Sequence, residues 1–320
     1  MSKAHKIVKN GLSLQGFFRL FPTDLEAEAW FVEHRWPNGV ECPHCGSDNI
    51  ATVRTRKPQP YRCRTCRRHF SHTTNTPMHS SNLGPQTWLL ALMLTVSNPK
   101  QVSSVQIAAL CEISQPCAWH LGHRLREMMA AGHLPGFDSV QVDETWIGGK
   151  AKNRHKSKAD PGKQPVVAVI DNDTGTAVAT PVHEVTTETA TAMVEATTND
   201  GATVHTDGSP VYDKLTALGY DHERVIHSIN EYVRSDGVTT NSVENFWSLL
   251  KRSYVGTFHW WSHEHTHRYV DAHTFLFNNR KCHVTDRMSA AVRSGEGRRL
   301  TWEALTAAGP SRQECLSTHG

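Results

Sequence analysis

Four cysteines in two C-x2-C pairs place the tightest constraint on how this chain can fold. Cys42 and Cys45 form the first pair, and Cys63 and Cys66 form the second after seventeen intervening residues. This spacing is typical of a structural zinc site, in which four thiolates enclose one ion in a tetrahedron. The residues between the pairs are too few for a hydrophobic core, so we expect bound Zn2+ to supply much of the folding energy of this ribbon.

Cations are concentrated in the same segment. The arginines and lysines of residues 54–68 are Arg54, Arg56, Lys57, Arg62, Arg64, Arg67 and Arg68. A cluster of this kind suits a surface that contacts phosphates. A basic face that is only solvated fits the same residues, so both interpretations stay open at this point.

The bulk composition sets broad limits. The chain has 320 residues, more than one compact core usually holds, so we expect two or three folding units. Its formal net charge is only +3, so affinity for nucleic acid has to come from local clusters. The sequence contains no apolar run of the roughly 18 residues that a membrane helix needs, and its basic start leads into no signal-peptide segment. These patterns predict a soluble cytoplasmic protein with no membrane partner.

Residues 83–134 carry helical patterns. A helix capped by Ser103 or Ser104, a short turn, and a second helix with Pro116 in its first turn give the order of a helix-turn-helix. The predicted buried side holds Ile107, Ala108, Leu110, Trp119, Leu121 and Leu125, and the predicted exposed side holds His120, His123, Arg124 and Arg126. We expect Arg124 and Arg126 to contact DNA. An ordinary helical linker would show the same pattern.

After Pro135 the pattern changes to short apolar segments separated by turns. Three antiparallel strands are predicted over residues 139–149 and 165–184, followed by a helix over 186–200, a strand over 202–207, a helix over 209–220, a strand over 222–228 and a helix from Asn241. This βββαβαβα order is that of the ribonuclease-H-like fold. The predicted fold class is therefore α/β, with a mixed sheet and flanking helices.

Three acidic residues stand where such a fold brings carboxylates together. Asp143 and Asp207 lie in the first and fourth predicted strands, which run side by side, and Glu244 lies on the last helix. Mg2+ and Mn2+ prefer hard oxygen ligands, and pairs of such ions catalyse phosphodiester chemistry. We expect these three acids to bind the catalytic metal ions. Glu144 should point to the opposite face of its strand, so it is predicted to be a neighbour of the site rather than a ligand.

The helix that carries Glu244 places further groups on one face. Asn241, Glu244 and Lys251 recur at helical spacing. We expect Lys251 to contact a DNA phosphate and Asn241 to orient a water molecule or the metal shell. The opposite side carries Val243, Phe246, Leu249 and Leu250, which should hold the helix to the sheet, while Trp247 falls between the two faces. Further DNA contacts are predicted for Arg252 and for the loop residues Lys150, Lys152, Arg154, Lys156 and Lys158, although a solvated loop is the alternative.

At these residues the chain resembles prokaryotic insertion-sequence transposases of the DDE type, in the family that joins an N-terminal zinc ribbon to a ribonuclease-H-like domain. The similarity covers nearly the whole chain, including HTDGSPVY, and is most specific in TTNSVENFWSLLKRSYVGTFH and RYVDAHTFLFNNR. It implies that Asp143, Asp207 and Glu244 are the catalytic acids, with Lys251 as their basic companion. Some relatives use Asn or His as the third residue, so Asn241 competes with Glu244.

The resemblance also implies partners and a reaction. It implies Mg2+ or Mn2+ at the acids, recognition of terminal inverted repeats and target DNA, and a homo-oligomeric synaptic complex on the nucleoid. The chain departs from the family pattern at Ala272, where Glu is usual, and at Leu276, where Arg is usual. Both positions follow the catalytic helix, so we expect altered packing or a lost salt bridge rather than lost chemistry.

The expected organisation has five parts. They are an N-terminal arm (1–20), the zinc ribbon (21–82), a helical DNA-binding segment (83–134), the ribonuclease-H-like domain (135–283) and a C-terminal extension (284–320). The expected function is metal-dependent cleavage at terminal inverted repeats and strand transfer to target DNA. The alternatives are a catalytically silent DNA-binding regulator derived from a transposase, and a structure-selective nuclease on the same fold.

Overall fold

A computed structural model of the chain describes residues 11–130, 132, 136–148, 162–224 and 241–307. The chain divides into two compact units. The first comprises Met1–Ala130 with Lys281–Ala307, and the second comprises Ala131–Arg280 with Ala308–Gly320. None of the helices in the described ranges combines the length and the apolar character needed to cross a membrane.

The first unit begins with two helices and the ribbon. Helix α1 spans Leu14–Leu20, and α2 spans Asp24–Arg35 behind a capping box formed by Thr23 and Glu26. Three short strands follow, β1 (Ile50–Thr52), β2 (Tyr61–Cys63) and β3 (His69–Phe70), and they pair in the order β1-β2-β3 with antiparallel neighbours. The small core of this sheet consists of Cys42, Cys63 and Phe70 with Trp36 and Tyr61 packed against them.

Three helices complete the first part of this unit. Helix α3 spans Pro85–Ser97, α4 spans Ser104–Cys111 and α5 spans Gln115–Met128. Ser103 caps α4 together with Gln106, and Glu112 turns the chain in a left-handed conformation before α5 begins. The predicted helix, turn and second helix are therefore present.

The expectation that Arg124 and Arg126 lie on an exposed side of α5 is wrong, because both side chains are buried. The Nε atom of Arg124 donates a hydrogen bond to the Leu300 carbonyl at 3.3 Å, and that of Arg126 donates to Gln101 Oε1 at 3.1 Å. The prediction assumed that α5 buries one face. In the structure its C-terminal half packs against several other helices of the unit, so the opposite face is covered as well.

The second unit is built on one mixed sheet. Its strands are β4 (Phe137–Ile147), β5 (Gln164–Asp171), β6 (Ala177–Pro181), β7 (Thr198–Thr206) and β8 (Asp221–Arg224), with helix α6 (Thr187–Thr197) between β6 and β7. The spatial order is β6-β5-β4-β7-β8. Strands β4, β5 and β6 pair antiparallel, while β7 runs parallel to both β4 and β8. The predicted ribonuclease-H-like α/β class is confirmed.

Helices cover both faces of this sheet. Helix α6 packs on the face that carries Val140, Val142 and Val204. Helix α7 (Asn241–Ser253) and α8 (Thr266–Asn278) pack on the face that carries Val166, Ala168 and Ile170. Ala272 and Leu276, the two departures from the family pattern, are buried positions of α8, which apolar side chains suit.

The predicted helix over residues 209–220 is absent. The structure shows two 3-10 turns instead, Pro210–Tyr212 and Thr216–Leu218, and Gly219 then adopts a left-handed conformation with φ of 92°. The buried side chains of this segment are Tyr212, Leu215 and Tyr220, and 3-10 geometry is common in connecting pieces as short as these. The strand predicted over 222–228 is described only as far as Arg224.

The chain then returns to the first unit. Helix α9 spans Val284–Ser294 and α10 spans Trp302–Thr306. The guanidinium of Arg35, at the end of α2, forms two hydrogen bonds of 2.6 Å with the carboxylate of Glu296, which follows α9. Arg287 of α9 donates to the Val96 carbonyl of α3 at 3.0 Å. Residues 281–307 are thus part of the fold of the first unit, a role that the sequence patterns did not indicate.

Candidate active site and metal sites

The four cysteines of the ribbon converge. The Sγ atoms of Cys42 and Cys66 are 3.6 Å apart, those of Cys45 and Cys63 are 3.7 Å apart, and all four lie within 4.8 Å of one another. Four sulfurs bound to one zinc ion at about 2.3 Å are separated by about 3.8 Å in a tetrahedron. The donor set therefore fits a closed structural Zn2+ site, and it leaves no protein position open for a substrate.

Two tight turns aim these sulfurs inward. The residue after each pair, Gly46 or Arg67, has a left-handed backbone with φ of 71° or 62°. In the second turn the backbone N–H of Cys66 donates to Cys63 Sγ at 3.4 Å and lowers the pKa of Cys63 to about 6. Such N–H donors favour the thiolate form that binds metal.

The cations of the ribbon are on its surface. Arg54, Arg56, Lys57, Arg62, Arg64, Arg67 and Arg68 are all exposed. Arg56 forms an ion pair of 2.5 Å with Glu28 of α2. The ribbon carries six cations besides Arg56. Residues 51–70, which hold all seven, contain no acidic side chain. This distribution gives the ribbon a positively charged face.

Strands β4 and β7 bring two aspartates together in the second unit. The parallel register pairs Val140 with Val204 and Gln141 with His205. Asp143 and Asp207 each lie two residues beyond the last of these pairs, so they occupy equivalent positions in the register, Asp143 within β4 and Asp207 directly after β7. The side chains are close enough for the charge of Asp207 to contribute to the pKa of Asp143. This is the juxtaposition that the sequence pattern predicts.

Trp247 connects helix α7 to Asp143. Its Nε1–H donates a hydrogen bond of 2.8 Å to Asp143 Oδ2, and its ring is buried in the core beneath α7. Burial raises the pKa of Asp143, and the neighbouring charge of Asp207 adds to this effect. The hydrogen bond from Trp247 and the charge of Lys251 act in the opposite direction, because both favour the ionised carboxylate.

The exposed face of α7 carries the other predicted groups. Glu244 and Lys251 are exposed, whereas Val243, Phe246 and Leu250 are buried against the sheet. Trp247 lies three residues after Glu244 and four before Lys251, so its contact with Asp143 fixes the side of the helix on which all three lie. Asn241 begins the helix, and its side chain lies outside the described part of the chain.

Glu144 lies on the other face of β4, as strand alternation predicts. Its Oε2 accepts a hydrogen bond of 2.6 Å from the hydroxyl of Tyr212, whose ring belongs to the core on the α6 side. Burial raises the pKa of Glu144, the hydrogen bond from Tyr212 opposes this shift, and the charges of Asp207 and Asp143 reinforce it. The carboxylate of Glu144 is thus within electrostatic reach of both aspartates although it does not share their face.

The predicted DNA contacts divide into three groups. Arg252 is exposed on α7. Arg124 and Arg126 are buried and are not candidates for DNA contact. The cluster of Lys150, Lys152, Arg154, Lys156 and Lys158 lies outside the described residues.

Two residues of the site escaped the sequence interpretation. Trp247 looked ambiguous between the two faces of its helix, although its spacing from Glu244 and Lys251 is a signal in favour of the site. Tyr212 lies in a segment predicted to be a helix, and nothing in the sequence pattern indicates its hydrogen bond to Glu144. Both act through hydrogen bonds to residues more than 60 positions away along the chain.

The comparisons with known proteins identify two domains in the chain. Residues 133–278 match the family model of the ISXO2-like transposase domain, and residues 22–69 match that of the transposase zinc-ribbon domain. A protein of Halobacterium salinarum, described as an uncharacterized protein in transposable element ISH50, is 27% identical over 252 residues, covering 73% of this chain and 84% of that protein.

These matches define the class first: the chain carries the two domains of a transposase, an N-terminal ribbon and a DDE-type domain. More particularly, these are the two domains of insertion-sequence transposases, and the Halobacterium relative is likewise described as part of a transposable element. Among solved structures, one match is a chain in the cryoEM structure of the simian T-cell lymphotropic virus intasome in complex with PP2A regulatory subunit B56 gamma. It is 15% identical and covers 55% of this chain and 67% of that chain, and its TM-score of 0.28 is too low to bear on the fold.

Proposed function

We propose that this chain is an active DNA transposase that cleaves phosphodiester bonds at terminal inverted repeats and transfers the freed strand to target DNA. The observation that carries this proposal is the register of β4 and β7, which sets Asp143 and Asp207 side by side, together with the hydrogen bond from Trp247 that fixes α7 against Asp143. The match of residues 133–278 to the ISXO2-like transposase domain indicates the class of reaction.

The donor set at this site suits divalent cations. Asp143 and Asp207 offer hard carboxylate oxygens, and Glu244 on the exposed face of α7 supplies the third acid. When bound, two Mg2+ or Mn2+ ions activate the attacking hydroxyl or water and stabilise the leaving oxygen. Asn241 is the competing candidate for the third position, because it precedes Glu244 by less than one turn on the same helix.

The chain's own residues orient the reactants. Trp247 holds the Asp143 carboxylate and favours its ionised form, which a metal ligand requires. Lys251, exposed on α7 and close enough to affect the pKa of Asp143, is placed to contact a phosphate beside the acids. Arg252 follows it on the same helix and extends the positive charge along the DNA path.

The ribbon supplies a second contact with DNA. Its exposed cations lie on a module that Zn2+ organises, and we infer that they grip the phosphates of the element ends. The loop cluster from Lys150 to Lys158 is assigned the same role from its sequence alone. Recognition of two ends implies a homo-oligomeric complex, and DNA as the substrate implies action at the nucleoid in the cytoplasm.

The test is a cleavage and joining assay with labelled duplexes that carry the terminal repeats, a target plasmid and Mg2+. The wild-type protein should cut and join, and Asp207→Asn should do neither while still binding DNA. Asp173→Asn is the matched control and should be fully active, because Asp173 is exposed in the turn between β5 and β6, at the opposite end of the sheet from Asp143.

Two other outcomes would replace the proposal. Cutting without joining would indicate a structure-selective nuclease. Binding without cutting in the wild-type protein would indicate a DNA-binding regulator derived from a transposase, and would make the departures at Ala272 and Leu276 the first positions to restore.

A further inference from the structure

The turn that follows β7 links the carboxylate of Asp207 to Tyr212 through short local hydrogen bonds. The backbone N–H of Ser209 donates to Asp207 Oδ1 at 2.9 Å, and the backbone N–H of Tyr212 donates to the Ser209 carbonyl at 3.3 Å. The side chain of Tyr212 is 1% exposed. These hydrogen bonds couple the orientation of the Asp207 carboxylate to the position of the buried ring of Tyr212.

That ring reaches back to the neighbouring strand. The hydroxyl of Tyr212 donates a hydrogen bond of 2.6 Å to Oε2 of Glu144, the residue next to Asp143. The backbone ladder between β4 and β7 pairs residues only as far as Gln141 and His205, so it ends before either aspartate. The hydrogen bond between Tyr212 and Glu144 therefore joins β4 to the turn that follows β7, beyond the point where the backbone ladder holds the two strands together.

We propose that Tyr212 and Glu144 form a positioning clamp that sets the Asp207 carboxylate against Asp143 for binding of the catalytic cation. The clamp acts from the α6 face of the sheet, whereas Trp247 holds Asp143 from the α7 face. Neither clamp residue is assigned as a ligand. The inference rests on the proposed function, because it assumes that Asp143 and Asp207 share a divalent cation.

The expected effect of the clamp on metal affinity follows from the behaviour of other residues that orient metal ligands. Loss of such a partner typically weakens metal affinity by roughly tenfold to a hundredfold. Tyr212→Phe removes only the hydroxyl and keeps the buried ring, so the core on the α6 side stays filled. Glu144→Gln keeps an oxygen that can accept the hydrogen bond from Tyr212, whereas Glu144→Ala removes it.

The chain provides a matched control in Tyr220. It is buried in the same core as Tyr212, and its hydroxyl makes no hydrogen bond to the part of the chain that the structure describes. Tyr220→Phe therefore makes the same chemical change in the same core without touching the clamp. Thermal unfolding of the two Tyr→Phe variants reports whether either change disturbs the fold.

The experiment is a Mn2+ titration of the full-length protein followed by the electron paramagnetic resonance signal of the free ion, with Asp207→Asn to identify binding at the acids. We expect Tyr212→Phe and Glu144→Ala each to weaken Asp207-dependent binding by roughly tenfold or more. Tyr220→Phe and Glu144→Gln should bind nearly as the wild type does. The Tyr212→Phe/Glu144→Ala double variant should be no weaker than either single variant, because both break the same contact.

Each contrary result has its own meaning. Wild-type affinity in Tyr212→Phe would overturn the clamp while leaving the proposed function standing. A loss in Glu144→Gln as severe as that in Asp207→Asn would also overturn it, because Glu144 would then be a ligand. Absence of Asp207-dependent Mn2+ binding in the wild-type protein would refute the proposed metal site itself, and the clamp with it.

Discussion

Replacing Trp247 with Phe should weaken binding of the catalytic cation far more than it weakens the fold. The change removes the hydrogen bond of 2.8 Å from Nε1 to Asp143 Oδ2 but keeps an aromatic ring in the core beneath α7. This bond opposes the effect of burial, which raises the pKa of Asp143. Its loss therefore acts against the ionised carboxylate that a metal ligand requires.

The size of the expected loss of Mn2+ affinity follows from the hydrogen bond between Trp247 and Asp143. A hydrogen bond to a charged group contributes about 1.5–3 kcal/mol. Since about 1.4 kcal/mol corresponds to a tenfold change in affinity, the expected loss in Mn2+ affinity is roughly tenfold to a hundredfold. The smaller ring also leaves unfilled volume, which should lower the free energy of unfolding by about 1–2 kcal/mol.

Trp88→Phe separates the two effects. Trp88 is buried in α3 of the first unit and donates its Nε1–H to Ser81 Oγ at 2.9 Å, so the same substitution removes a similar ring and a similar bond far from the acids along the chain. Calorimetric titration with Mn2+ and thermal unfolding should show lower stability in both variants but weaker binding only in Trp247→Phe. Unchanged Mn2+ affinity in Trp247→Phe, or an equal loss in Trp88→Phe, would refute the reasoning.

Three further predictions concern other parts of the molecule. Cys63→Ser should lose zinc, measured by elemental analysis, and should bind element ends more weakly. Cys282→Ser, outside the cluster, should keep the wild-type zinc content. Zinc retained in Cys63→Ser would contradict the four-thiolate site. Glu244→Gln should keep zinc and DNA affinity but lose cleavage, because the amide cannot replace the negative ligand, and full activity would move the third role to Asn241. His72, whose Nδ1 lies 3.5 Å from Glu28 Oε1, and the ion pair with Arg56 lower the pKa of Glu28 from 4.5 to about 2. Glu28 therefore stabilises the fold above pH 4.5, and this contribution disappears as the pH falls toward 2. Glu28→Gln should therefore be less stable than the wild type by about 1 kcal/mol at neutral pH in denaturant unfolding, with the difference closing in acid, and a difference that does not depend on pH would count against the ion pair.

Local patterns predicted the parts of the structure that local chemistry decides. The spacing of Cys42, Cys45, Cys63 and Cys66 is sufficient to indicate a zinc site, since each pair forms its own turn. The alternation of apolar residues around Asp143 and Asp207 indicates strands that carry carboxylates, although only Asp207 stands at a strand end, because β4 continues beyond Asp143 to Ile147. The order of the predicted elements, which is that of the ribonuclease-H-like fold, then supplied the pairing of these strands, which the pattern of one strand does not contain.

The errors have a common physical origin in tertiary packing. Helical periodicity places Arg124 and Arg126 opposite one buried face, but other parts of the first unit cover that side of α5 too. Arg124 bonds to Leu300 in the returning residues 281–307, and Arg126 bonds to Gln101. A chain segment more than 150 residues away leaves no trace in the local pattern. The burial of Arg124 is made tolerable by its bond to the Leu300 carbonyl, a partner that only the folded structure reveals.

The same limit applies to the site. Tyr212 and Glu144 are separated by 68 positions, and Trp247 and Asp143 by 104. Each pair consists of a buried aromatic donor and a carboxylate, a combination whose significance depends entirely on the register of β4 with its neighbours. Sequence reasoning found the acids because their residue type states their chemistry, and it missed the residues that hold them because Tyr and Trp are usually core residues.

The most direct test of the metal site is anomalous X-ray diffraction from crystals of the protein bound to a terminal-repeat duplex in the presence of Mn2+. The account predicts manganese density contacted by the carboxylates of Asp143 and Asp207, with separate zinc density among the four cysteines. Ordered Asp143 and Asp207 side chains without manganese between them, at a Mn2+ concentration that supports cleavage, would contradict it.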